Sequence, residues 1–181
     1  NMYTGNQLSW MVHILPYIEQ QAIYQQFDLE VKFDDWKNLD ASVVPTPEKT
    51  QPASLMCPSD SARGRFYSNR HGGTSRRYGK GNYAAFASPE HITCNQWIGP
   101  IANHGLELKR ITDGTSNTLM LTEVRTRDEL TDQRGAWVLA WIGASLLGLD
   151  VHSEPLGIGA SCTAATLDPS APYNPVAGAE A

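Results

Sequence analysis

The residues best suited to chemistry lie between 61 and 89. That stretch holds Arg63, Arg65, Arg70, Arg76, Arg77 and Lys80 and no acidic residue, with Phe66, Tyr67, Tyr78 and Tyr83 interleaved. Cations beside aromatic rings suit a groove for an anionic polymer, because the charges neutralise phosphate or sulfate while the rings stack. The same set suits a contact with an acidic neighbouring subunit. A second constellation is Asp113 and Asn117 in the run Asp113-Gly114-Thr115-Ser116-Asn117-Thr118. Its carboxylate and amide oxygens could hold calcium, a hard cation, although the spacing is not that of an EF-hand. The competing reading is an Asx-type turn into a strand. No cofactor is expected beyond that candidate calcium.

Cys57, Cys94 and Cys162 have no CxxC spacing. A disulfide between Cys57 and Cys94 is favoured over buried thiols, and over a zinc shell in which His91 and His104 join those two cysteines. Nucleophilic catalysis would need a Ser or Cys held by an oriented His. The five histidines, at 13, 71, 91, 104 and 152, are scattered, and no nucleophile elbow or zinc-protease helix accompanies them. Gly79-Lys80-Gly81 is a two-glycine turn, not a phosphate-cradling loop. The residues therefore argue against an enzyme.

These candidates must be positioned by a chain of 181 residues, 41% hydrophobic and 18% charged, which is one domain or at most two small ones. The net charge of −5 argues against a general nucleic-acid binder. Outside 61–89 the chain carries 8 basic and 19 acidic residues, so one basic region sits on an acidic body. Residues 6–27 have helical periodicity through Leu8, Met11, Val12, Leu15, Ile18, Ala22 and Ile23, and Pro16 predicts a kink or two short helices meeting there. Residues 54–57, 82–86, 118–124 and 137–142 read as strands, and 61–82 as a basic loop. The uncharged run 135–149 is shorter than the ~20 residues of a membrane span and reads as core. Residues 150–181 read as an irregular tail after a head of 1–149. The expected class is α+β, with the N-terminal helical segment packed on an antiparallel sheet joined by long loops. The chain starts at Asn1 within a polar stretch, which reads as a processed or partial product.

Several blocks, in order, carry a resemblance. They are Ser9-Trp10 with Ile14-Leu15-Pro16-Tyr17-Ile18-Glu19-Gln20-Gln21, then Leu55-Met56-Cys57-Pro58-Ser59-Asp60, the step Gly81-Asn82-Tyr83, and Ile111-Thr112-Asp113-Gly114-Thr115-Ser116-Asn117-Thr118 on to Glu123. Together they resemble a pseudopilin-like family of bacterial proteins with a prepilin-type cleavage and methylation signal. Its members are often labelled type II secretion G-like and are numerous in planctomycete-type bacteria. The resemblance implies a pilin-like head and an apolar helix upstream of Asn1 that anchors the precursor in the membrane and packs in a filament. It also implies export to the cell envelope, and partners that are copies of the chain or other pilin-like subunits. It implies no catalytic residues. The expectation is a non-catalytic assembly subunit, with Arg63, Arg65, Arg70, Arg76, Arg77, Lys80 and Tyr78 as its binding or subunit contact. The alternatives are an envelope module for anionic polysaccharide and an accessory subunit wrapped on a larger complex.

Overall fold

A computed structural model describes residues 8–31, 46–71, 74–88, 100–101, 107–112, 114–141 and 143–148. The N-terminal segment is broken, as Pro16 requires. Ser9 is in an extended conformation and caps helix α1 (Trp10–Ile14), its Oγ accepting from Met11 N–H at 3.1 Å. A 3-10 turn with Pro16 in its first positions follows over Leu15–Ile18. Glu19 then enters the left-handed region at φ 61° and ends the turn, after which the short helix α2 (Gln21–Tyr24) restarts. Leu8, Met11, Val12 and Leu15, spaced three and four apart, are buried.

The 61–82 stretch is a correction. In place of a loop it forms an antiparallel hairpin, β1 (Phe66–His71) with β2 (Thr74–Gly79), paired from Phe66↔Gly79 to His71↔Thr74. The reason lies in its interleaved rings. Tyr67 and Tyr78 face each other across the strands and stack with centroids 5.9 Å apart, and Trp141 meets Tyr67 edge-on at 6.5 Å. Such pairs add about 0.5–1.5 kcal/mol each beyond area burial.

A second sheet has the order β4-β3-β5, from β3 (Tyr83–Ser88), β4 (Leu121–Glu123) and β5 (Leu146–Gly148). β3 and β4 are antiparallel, but β3 and β5 are parallel, so this sheet is mixed. The architecture is α+β, as expected. Two expected strands differ. Within 54–57 the chain makes a 3-10 turn (Ala53–Leu55). Over 137–141 it makes turns instead, with isolated bridges at Leu139 and, just before them, Ala136. Those residues are core nonetheless: 136–139 are fully buried without belonging to a regular ladder. Strand β4 is shorter than expected and lies at an edge. Its Leu121 is 44% exposed, and Leu119, two residues before it, is 72% exposed.

One core gathers α1, the turn at Leu55, both hairpin tyrosines and 136–139. Phe27 meets Trp137 edge-on at 6.1 Å. The Trp10 indole donates to Ser145 O at 3.0 Å, Ser9 N–H donates to Val138 O at 3.0 Å, and the Ser9 hydroxyl donates to Trp137 O. The first block of the sequence is thereby tied to the far end of the described chain. Among the described residues no helix is long and apolar enough to cross a membrane. Residues 149–181, with His91, Cys94, His104, Asp113 and Cys162, lie outside the described set.

Candidate functional site

Two of the blocks singled out in the sequence, 55–60 and 81–83, meet at one polar junction with Thr126, three residues past the last block. Asp60 lies in the turn after Pro58, Asn82 immediately precedes β3, and Thr126 follows β4. Asp60 Oδ2 accepts from Asn82 Nδ2 at 2.6 Å, from Thr126 Oγ1 at 3.1 Å and from Thr126 N–H at 3.3 Å. Asp60 Oδ1 pairs with Arg65 Nη1 at 3.2 Å. Arg65 also donates to Thr126 O at 2.8 Å and Ser61 Oγ at 2.7 Å. Asn82 completes the lattice. Its Oδ1 accepts from Cys57 N–H at 3.0 Å, its N–H donates to Leu55 O at 2.9 Å, and its carbonyl accepts from Val124 N–H at 2.8 Å. Burial raises the Asp60 pKa, but the Thr126 N–H, the Asn82 amide, the Thr126 hydroxyl and the Arg65 charge outweigh it and hold the carboxyl below its ordinary value. Chemically this is a staple for three backbone segments.

Two glycines make the staple fit. Gly135, at φ +78°, has its Cβ position 2.1 Å from Gly81 O, and Gly81 N–H donates to Gly135 O at 2.7 Å. Gly81 also lies close on Leu55, 2.8 Å from that residue's carbonyl oxygen to the Cβ position. Gln51 bridges the adjoining turns. Its Nε2 donates to Lys80 O at 2.7 Å, and to Ala62 O and Arg65 O at 3.1 Å each, while its Oε1 accepts from Gly64 N–H at 2.7 Å.

The basic set divides. Lys80 and Tyr78 are both fully buried, so neither presents a surface to a partner. The glycines flanking Lys80 give close backbone approach, and its Nζ donates to Arg127 O at 2.7 Å and Glu129 O at 2.9 Å. Burial pushes the Lys80 ammonium down from its ordinary value. Asp132 and Asp128 pull it back up only in part, and Arg134 and Arg65 add to the downward push. Arg65 is spent at the junction, and Arg76 is half-buried on β2. Arg63 and Arg77 are exposed. Arg70 lies in β1, and its side chain is outside the described set. The exposed charge is therefore smaller than the composition suggests.

Of the calcium candidates, Asn117 ends an exposed 3-10 turn (Thr115–Asn117), its N–H donating to Gly114 O at 3.0 Å, and Asp113 is outside the described residues. Cys57 is half-exposed, with its sulfur 3.0 Å from Ser59 Oγ and 3.8 Å from Glu123 Oε2. Its expected partner Cys94 is outside the described residues, and so is the rest of the zinc set. Sequence reasoning missed the roles of Asp60, Asn82, Thr126 and Gln51. The only signal for the first two was their place inside quoted blocks, Asp60 after Pro58-Ser59 and Asn82 after Gly81.

Short helices, a hairpin and a small mixed sheet stapled by one buried polar junction define a small α+β domain. Residues 1–175 match the family described as "Protein of unknown function (DUF1559)", SBP_bac_10, and the chain belongs to that family. No curated protein and no solved structure matches the chain.

Proposed function

We propose that this chain is the exported head of a pilin-like subunit, carried by an apolar helix upstream of Asn1 and acting by assembly in the cell envelope rather than by catalysis. The observation that carries the reading is the fate of the quoted blocks. Ser9, Trp10, Asp60 and Asn82 are engaged in holding backbone segments together. Side chains used in this way specify a shape, and a shape is what a subunit contributes to an assembly. Arg63 and Arg77 remain exposed on a domain whose other regions are acidic, which supports a charged contact between neighbouring heads. Copies of this chain or other pilin-like subunits are the partners this reading names. Capture of an anionic polysaccharide would need rings beside the exposed arginines. Tyr67 and Tyr78 stack on each other inside the protein, which favours assembly over that alternative.

The test is the double variant Arg63→Glu/Arg77→Glu in the full-length anchored protein, with subunit contacts read by cross-linking at low and high ionic strength. Exposed charges of this kind are screened within about 10 Å at 0.1 M salt. The reading expects cross-linking that weakens with salt and is lost in the variant. Contacts unchanged by either perturbation would exclude a charged head-to-head interface. Arg76 is left intact, because it is half-buried against the body of the domain.

A further inference from the structure

The 46–51 segment closes on the end of the β1–β2 hairpin with little intervening space. A Cβ on Gly79 would meet Thr50 O at 2.6 Å and Lys49 O at 3.1 Å. Gln51 reaches Lys80 O, and the Trp137 indole donates to Thr50 O at 2.7 Å. Into this joint the 3-10 turn Pro47–Lys49 places a carboxylate. Glu48 is only 2% exposed, and its Oε2 accepts no hydrogen bond from any described residue. The Thr46 hydroxyl beside it, in a residue 5% exposed, likewise makes none of normal geometry. The described cations within electrostatic reach are Lys49 on the same turn and Arg76 on β2. A buried carboxylate oxygen without a donor forfeits its hydration, whereas a carboxylic acid brings a donor of its own. Here that donor would have the Thr46 hydroxyl oxygen as its acceptor.

We propose that Glu48 is a proton-operated latch between the 46–51 segment and the hairpin: protonated it closes the joint, and ionised it loosens it. Burial raises the Glu48 pKa above its ordinary value; its own backbone N–H, the Lys49 and Arg76 charges and the neighbouring Thr46 hydroxyl, which is close but not in hydrogen-bond geometry, oppose it only in part. A carboxyl raised in the folded state favours the fold fully below its unfolded pKa. That contribution is lost as pH rises through the folded value. The joint therefore tightens in acid, opposite in sign to Asp60. The hairpin it holds is the element that carries exposed Arg77. The latch itself is a property of the single chain and stands or falls separately from assembly.

The experiment is an NMR titration of the Glu48 side-chain carboxyl in the full chain. Amide exchange is followed alongside at Lys49 and Thr50, whose N–H groups donate to Thr46 O and Pro47 O, and at Lys80, which donates to Arg65 O. The expected result is a Glu48 midpoint above that of an ordinary glutamate. Protection at these amides, corrected for intrinsic exchange, should fall up to about tenfold per unit of that displacement as pH rises. In Glu48→Gln the protection should be flat over the same range. A midpoint at or below the ordinary value would overturn the latch, and so would protection that does not follow the midpoint or a Glu48→Gln protein that keeps the pH response. The wild-type titration decides the matter even if the variant does not fold.

Discussion

Replacing Asp60 by Asn removes one charge at nearly constant volume, so its cost measures the junction's hydrogen bonds rather than a cavity. Asp60 Oδ2 serves three donors, two from Thr126 and one from Asn82, and Oδ1 serves Arg65. The amide oxygen can take the Oδ2 place and keep those three donors, which turns the amide N–H₂ toward Arg65. Arg65 keeps Thr126 O and Ser61 Oγ. What is lost is the charge-assisted bond to Arg65 and the charge on the acceptor of the other three. At about 1.5–3 kcal/mol for a hydrogen bond to a charged group, the expected loss is about 1.5–3 kcal/mol. For a domain of this size that is roughly 3–12 °C in Tm. Urea unfolding followed by tryptophan fluorescence, with linear extrapolation, gives the free energy directly. The pH dependence supplies an internal check. Because the folded Asp60 pKa is lowered, its contribution is fully present above the unfolded value and is lost as pH falls through the folded value. The wild-type advantage over Asp60→Asn must therefore shrink in acid. A loss under about 1 kcal/mol at pH 7, or a difference that does not narrow in acid, would refute the staple.

Gly135→Ala should prevent folding or cost more than about 3 kcal/mol, since the new methyl lands 2.1 Å from Gly81 O and 2.8 Å from the Thr126 methyl. Gly64→Ala shares the positive φ, at +82°, but has nothing within 4 Å, so it should cost only about 1 kcal/mol; equal costs in a thermal melt would show that steric contact is not the cause. Ser9→Ala removes the cap of α1 and the link to Trp137 O, with an expected loss of about 1–2 kcal/mol in urea unfolding. A change under about 0.3 kcal/mol would mean that the N-terminal segment is not anchored by that side chain.

The features legible in the sequence were those set by near neighbours. Pro16 broke the helical stretch where its missing N–H required, and the spacing of Leu8, Met11, Val12 and Leu15 marked the buried face. The run from 135 was recognisable as core from its lack of charge. The hairpin was hidden by its cations, although Phe66-Tyr67 and Tyr78 flank a Gly72-Gly73 pair that is itself a hairpin signal. Lys80 looked like surface because lysine is rarely buried. What buries it here is a pair of carbonyls 47 and 49 residues away. The junction was illegible for the same reason: Asp60 finds Asn82 at a separation of 22 residues and Thr126 at 66, and no local pattern encodes such a meeting. The parallel pairing of β3 with β5 likewise joins segments about 60 residues apart.

The most direct test of the assembly reading is mass spectrometry of the amino terminus of the native protein extracted from membranes, read against its coding sequence upstream of Asn1. The account predicts a short basic leader removed at a prepilin-type site, a methylated first residue, a Glu five residues in and about 20 apolar residues. An ordinary secretory cleavage site, or no apolar segment upstream of Asn1, would contradict assembly through a helical core.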